Sequence, residues 1–142
     1  MPCINLPLDP IGPIIEIGIA PPRTGAANGV PNPPIRWIKA IADTGCTHTS
    51  IHSSVALACG LSVLGKDTVT NTSGSIDVNI YHGDLVLRPV IGAGPFEWHF
   101  SNRGFLELLH QNPNFDALLG MDILGQGSFS MIGPLKVASF CW

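Results

Sequence analysis

Charge is what this sequence has least of. Asp, Glu, Lys and Arg make up 12% of its 142 residues, about half of the ~25% usual in soluble domains. No Lys/Arg cluster occurs, and the formal net charge is −3. Both observations exclude the basic footprint that binds a phosphate backbone, so nucleic acid is not an expected partner. Also missing is any apolar run approaching the ~20 residues of a membrane-spanning helix. Met1 to Asp9 has neither the basic nor the apolar stretch of a secretory leader, which gives a cytoplasmic setting and no membrane partner as the expectation. Cysteine is sparse: Cys3, Cys46, Cys59 and Cys141 contain no C-x-x-C pair, which argues against a zinc ribbon or a dithiol redox motif. Free thiols are the simplest reading, although Cys3 and Cys141 would meet if the two ends of the chain paired. Asn71-Thr72-Ser73 has the form of an N-glycosylation acceptor, which carries no weight without a secretory route.

Apolar residues are plentiful, at 45%. That is more than a small core consumes and points to burial in a subunit interface as well. The length fits one domain spanning 1–142. Ile11 to Ala20 is rich in β-branched residues and predicts a strand. Pro21 to Pro34 holds five prolines and two glycines, so it reads as an exposed loop leading to a second strand over Ile35–Asp43, the two strands forming a hairpin. Thr47 to Ile51 suits a strand or turn. Ser53 or Ser54 is positioned to cap a short helix that runs through Ala58 and stops at Gly60.

Farther on, Asp67 to Val78 surrounds the turn-rich Asn71-Thr72-Ser73-Gly74-Ser75 and predicts a hairpin with that segment as its tip. Alternation resumes over Asp77–Leu87, and Pro95–Phe100 reads as another strand. Phe105, Leu108 and Leu109 stand at helical spacing and predict a short helix over Phe105–His110. Ala117–Leu119 reads as an apolar strand, Met121–Leu124 as one helical turn, and Ser128–Ile132 with Leu135–Trp142 as a closing hairpin around Gly133-Pro134. The expected fold is all-β with one or two short helices, a barrel or sandwich rather than a layered α/β fold.

One tripeptide stands apart. Asp43-Thr44-Gly45 occurs once, at the end of the alternating stretch Ile35–Ala42. A carboxylate followed by a hydroxyl and a glycine combines a reactive acid, a buttress and a residue that permits close backbone approach. The Gly-tipped hairpin and Leu118-Leu119-Gly120 follow it in order. With these companions the chain resembles the retropepsin-like aspartic proteases, in particular the single-domain cellular and bacterial members and the retroviral enzymes, from Ile14 to the C-terminus.

That resemblance implies a closed acid-protease barrel of half-pepsin architecture, active as a homodimer, with peptide or protein substrates, an identical subunit as partner, and no cofactor or metal. It implies Asp43 as the catalytic acid, supported by Thr44 and Gly45. Cys46 and Thr47 would contact substrate together with a flap comprising Asn71, Thr72, Ser73, Gly74 and Ser75. Leu118, Leu119 and Gly120 would pack behind the catalytic loop, with Met121–Leu124 as the short helix after it. Cys46 stands where the family usually has Ala. Retroviral members commonly pair an Asp four residues after the catalytic one with an Arg just after the late Gly; those positions are Thr47 and Met121 here, so both charges are absent together.

Two aspartates at close range share a proton, which lets one act as base toward water while the other donates to the scissile carbonyl. With only one such motif, the second must come from an identical subunit. Asp122 is no substitute, since no Thr/Ser-Gly follows it. The alternative from another class is a retropepsin-like module that binds peptides or dimerises without cutting. His48 and His52 near Cys46 fall on a strand-turn segment, where i, i+4 spacing does not converge on a metal. Ser50, Ser53 and Ser54 lack a Gly-x-Ser-x-Gly elbow.

Overall fold

The computed structural model describes residues 2–24, 29–89 and 97–142. Ten strands and two short helices appear among them, in the order β1 (Cys3–Asp9), β2 (Gly12–Ala20), β3 (Arg36–Ala42), β4 (Ser50–His52), α1 (Ser53–Ala58), β5 (Ser62–Asn71), β6 (Gly74–Leu87), β7 (Trp98–Leu108), β8 (Ala117–Leu119), α2 (Met121–Leu124), β9 (Ser128–Ile132) and β10 (Val137–Cys141). A 3-10 turn, Gly133–Leu135, joins the last two strands. The mostly-β expectation is met. The Pro-rich loop has no regular structure over its described residues, with 25–28 outside them; the strand expected over Pro95–Phe100 begins at Trp98, and 90–96 also lie outside the described residues.

β2 organises the fold. Its isoleucines alternate inward, with Ile15, Ile17 and Ile19 buried, as period-two strand geometry requires. Gly18 and Ala20 are buried as well, because β2 is paired on both sides. It runs antiparallel to β3, Ile14 opposite Ile41 through Ile19 opposite Arg36, and its end pairs with β6, Gly18 opposite Val86. The strand order β6-β7-β4-β8-β3-β2 thereby returns to β6. Ile51, Leu85, Leu87, Phe105, Leu119 and Ile123 fill the interior, each contributing about 1.5–3 kcal/mol by leaving water.

Outside that ring, the two ends of the chain pair with each other. β1 runs antiparallel to β10 from Cys3–Cys141 to Pro7–Val137, and Cys3 and Cys141 form a disulfide. Ile4, Leu6, Ala138 and Phe140 are buried between this sheet and the ring. β9 completes the small sheet on the far side of β10. Phe140 and the closing Trp142 lie against Trp98 of β7, at ring-centroid distances of 6.4 and 5.6 Å.

Two local expectations need correction. The residue capping α1 is His52 rather than Ser53 or Ser54: its backbone is still extended from β4, and its Nδ1 accepts the Ser54 N–H at 3.4 Å. The other end follows the expectation. Gly60, at φ +76°, donates to Leu57 O while Leu61 donates to Ala56 O, the two reversed bonds that close a helix on glycine. Phe105–His110 is not helical. Phe105 to Leu108 belong to β7, held by β6 on one side (Tyr81–Phe105) and β4 on the other (Ser50–Leu106, His52–Leu108). Ladders from two distant segments outweigh a local three-residue spacing.

Candidate active site

Asp43 is the first residue beyond β3, and the chain turns sharply there. β3 lies parallel to β8, Ala42 opposite Leu119, and the ladder's next bond runs from the Asp43 N–H to Leu119 O at 3.0 Å. The Asp43 carboxylate then folds over its own turn, Oδ1 accepting the Gly45 N–H at 2.9 Å, while Cys46 N–H donates to Asp43 O at 3.2 Å. A Cβ at Gly45 would lie 3.2 Å from that Oδ1, so glycine lets the amide approach the acid. The result is a half-buried carboxylate followed by two exposed residues, Thr44 and Gly45.

The loop is secured from behind. Met121 N–H donates to Cys46 O at 2.8 Å and Asp122 N–H to Thr47 O at 3.1 Å, so two backbone bonds tie the stretch Cys46–Thr47 to the start of α2. Gly120 is packed against the backbone itself: a Cβ there would sit 2.6 Å from His48 C and 2.9 Å from Thr49 N. Leu119 is fully buried behind the loop.

Sequence reasoning missed the polar element of this brace. Thr49 is buried, and Asp122 Oδ1 accepts both its N–H (2.9 Å) and its hydroxyl (2.8 Å); the hydroxyl oxygen in turn accepts the Gly120 N–H at 3.1 Å. Such charge-assisted bonds are stronger than neutral ones. An acid in the first turn of α2 was visible in the sequence, but its partner lies 73 positions away.

Cys46 donates from Sγ to His48 O at 3.0 Å. Burial pushes its thiol above the ordinary cysteine range, and the nearby Asp43 and Asp122 carboxylates add to the effect. Thr47 Oγ1 contacts His48 Nδ1 at 3.0 Å while His52 is occupied in capping α1, so these two histidines serve different ends. Among the described residues no group of three His, Cys, Asp or Glu side chains is placed to hold a metal.

Beside the loop lies a cavity of about 250 Å³. Cys46, Thr47, His48 and Ser50 form one wall, Val69, Asn71, Ile76 and Val78 of the β5–β6 hairpin another, and Leu106–His110 with Leu118 the floor. Of the residues expected to touch substrate, Cys46, Thr47 and Asn71 are brought together here. Ser73, Gly74 and Ser75 line a neighbouring cavity of about 270 Å³ with Leu109 and His110, and Thr72 lines neither. The hairpin tip is a tight turn: Asn71 pairs with Gly74, Asn71 Oδ1 accepts the Ser73 N–H at 2.8 Å, and Gly74 has φ +127°. The end of β7, where the sequence predicts a helix over Phe105–His110, supplies the apolar floor through Leu106 and Leu108. A larger cavity of about 380 Å³, lined by Pro7, Asp9, Lys39 and Asn114 among others, contains no residue of the Asp43 loop; chemistry rather than volume singles out the smaller one.

No helix among the described residues is long and apolar enough to cross a membrane. No protein-family model matches the sequence, and no curated protein matches it. Among solved structures, the chain is similar to the crystal structure of a retropepsin-like aspartic protease from Rickettsia conorii, at 16% identity and a TM-score of 0.60, over 97% of this chain and 89% of that one. At that identity the likeness is one of fold: the chain has a retropepsin-like fold.

Proposed function

We propose that this chain is an aspartic endopeptidase, one domain over 1–142, in which two Asp43 carboxylates from the subunits of a homodimer activate a water against a peptide bond. The observation that supports the reading is the placement of Asp43: half-buried at a strand end, fixed by Gly45 N–H and Leu119 O, on a loop whose following residues Cys46 and Thr47 line a mainly apolar cavity with the β5–β6 hairpin. The paired acids share one proton. The ionised one takes a proton from water, whose oxygen attacks the scissile carbonyl; the protonated one donates to the carbonyl oxygen, and the leaving amine collects a proton as the C–N bond breaks.

In this reading Thr44 and Gly45 shape the loop, Cys46 and Thr47 border the bound peptide, and Asn71 to Ser75 close over it as a flap. Leu118, Leu119 and Gly120 hold the loop from below. The returning strand order supports reading the ring as a closed barrel, with a second copy supplying the other half of the site. Peptides with a large aliphatic or aromatic side chain suit the wall of Val69, Ile76, Val78, Leu106 and Leu118. The cytoplasmic setting favoured by the sequence would expose the Cys3–Cys141 pair to a glutathione pool in which such bonds are rare, so the oxidation state of that pair reports the compartment.

The test is digestion of a peptide library across about pH 4–7 by the protein and by Asp43→Asn. Cleavage by the wild type alone is expected. Cleavage by both, or by neither, would refute the enzyme and leave a peptide-binding or dimerisation module on the same fold.

A further inference from the structure

Thr49, Ser50 and Asp84 are polar residues buried in the finished fold. Thr49 is held by Asp122 and Gly120, and the two oxygens of Asp84 accept the Arg23 and Asn102 N–H groups at 3.1 and 2.8 Å. Ser50 is different. It is only 7% exposed, yet its hydroxyl reaches His48 O at 3.5 Å, beyond the ~2.5–3.0 Å of a good O–H···O bond. That carbonyl already accepts Cys46 Sγ at 3.0 Å. A buried hydroxyl so poorly paired is costly, which raises the question of what could pair with it.

Strand geometry aims Ser50 at the cavity beside the Asp43 loop. Side chains alternate along β4, so Ile51 joins the core while Ser50 lines the cavity. Its register partners, Leu106 on β7 and Leu118 on β8, line that cavity too. One hydroxyl therefore sits between two leucines on the floor of a mainly apolar space of about 250 Å³. Other polar side chains on its walls are engaged or exposed: Thr47 contacts His48 Nδ1, Asn71 accepts the Ser73 N–H, Glu107 accepts the Asn79 N–H, and His110 is exposed.

We propose that Ser50 is a specificity-determining residue, selecting peptides whose side chain in this cavity has an apolar body and a hydroxyl tip: tyrosine over phenylalanine. This rests on the reading of the cavity as the peptide site of a protease. The phenol O–H donates to Ser50 Oγ while Ser50 keeps its own hydrogen on His48 O, and the ring packs on Leu106, Leu118 and the hairpin residues Val69 and Ile76. A phenylalanine ring covers Ser50 without bonding it, and a site built to bond a substrate hydroxyl rejects the analogue that lacks one. Threonine carries the hydroxyl but has too little apolar body to gain from the leucine-lined walls.

The test uses peptides of one sequence in which Tyr, Phe or Thr is placed at each position in turn, offered in competition to the wild-type chain and to Ser50→Ala. At one position the kcat/KM ratio of Tyr over Phe should be about 10–100, with Thr the poorest of the three, and should fall to about 1 in Ser50→Ala. A wild-type ratio below about 3 at every position, or a ratio that survives in Ser50→Ala, overturns the proposal. A merely structural role would lower cleavage of both peptides together and keep the ratio. If Ser50→Ala fails to fold, the wild-type ratio decides alone. Affinity for the same peptides, measured by calorimetry on Asp43→Asn, separates this proposal from the protease reading. Preference for Tyr in binding with no cleavage by the wild type refutes the protease alone; cleavage without the preference refutes the role of Ser50 alone; peptides neither bound nor cut refute both.

Discussion

Replacing Gly120 with Ala tests whether the Asp43 loop is held by backbone contact. The added Cβ meets His48 C at 2.6 Å, His48 O at 2.8 Å and Thr49 N at 2.9 Å. All three are main-chain atoms, so no side-chain rotation relieves them. Forcing a methyl into such a site costs about 1–3 kcal/mol. The displacement also strains the Gly120 N–H bond to Thr49 Oγ1, worth about 1 kcal/mol. Together these predict a loss of about 2–4 kcal/mol, read as a fall in Tm of roughly 8–16 °C at about 4 °C per kcal/mol. Gly65→Ala is the control: nothing lies within 4 Å of its added Cβ, and its effect should stay within about 0.5 kcal/mol. Thermal unfolding followed by circular dichroism measures both variants. Under the proposed function, proteolysis assayed well below the mutant Tm should also fall, because Asp43 N–H hangs from Leu119 O next to the displaced residue. Equal Tm values for Gly120→Ala and the wild type would refute the idea that backbone contact sets the loop.

The other predictions concern the brace, the termini and the thiol. Asp122→Ala leaves the buried Thr49 N–H and hydroxyl without their acceptor and should cost about 2–4 kcal/mol in urea unfolding, whereas Gln126→Ala should be near neutral; similar losses would contradict the brace. Opening Cys3–Cys141, whose cysteines are 138 positions apart, frees the denatured chain by up to about 5 kcal/mol in the loop-entropy account; the urea midpoint should drop with dithiothreitol, and an unmoved midpoint would exclude that contribution. Because burial and then Asp43 and Asp122 raise the Cys46 thiol, its alkylation should need higher pH than that of a free thiol and should quicken in Asp43→Asn. An unchanged rate would show that the carboxylate does not act on it.

The readable parts of the sequence were those whose causes are local. Alternating isoleucines gave β2, the run into Asp43 gave β3, and Asn71 to Gly74 gave the hairpin tip. Gly60 stopped α1 because a positive φ is a property of one residue. Leu119 and Gly120 were placed behind the loop by resemblance, and the contacts with His48 and Thr49 supply the physical reason. What stayed hidden depends on partners far along the chain. Phe105–Leu108 has a helical spacing of apolar residues, and only the ladders from β4 and β6 make it a strand. Thr49 and Asp122 look like an ordinary polar pair of residues until the fold joins them. His52, which the sequence places four residues after His48, caps α1 because β4 keeps its backbone extended.

The pairing of β1 with β10 also sets the order in which the chain can finish folding. β1 is made first, but its partner strand is completed 138 residues later; at ribosomal rates of ~5–20 residues per second that interval is about 7–28 s. During it Ile4 and Leu6, buried in the finished protein, have no strand to cover them. β2, β3 and the β5–β6 hairpin find their partners earlier, so the ring can begin to assemble while the terminal sheet is still open. Closure by such distant contacts is slow, and the newly made chain is most exposed to aggregation or proteolysis just before Cys141 emerges.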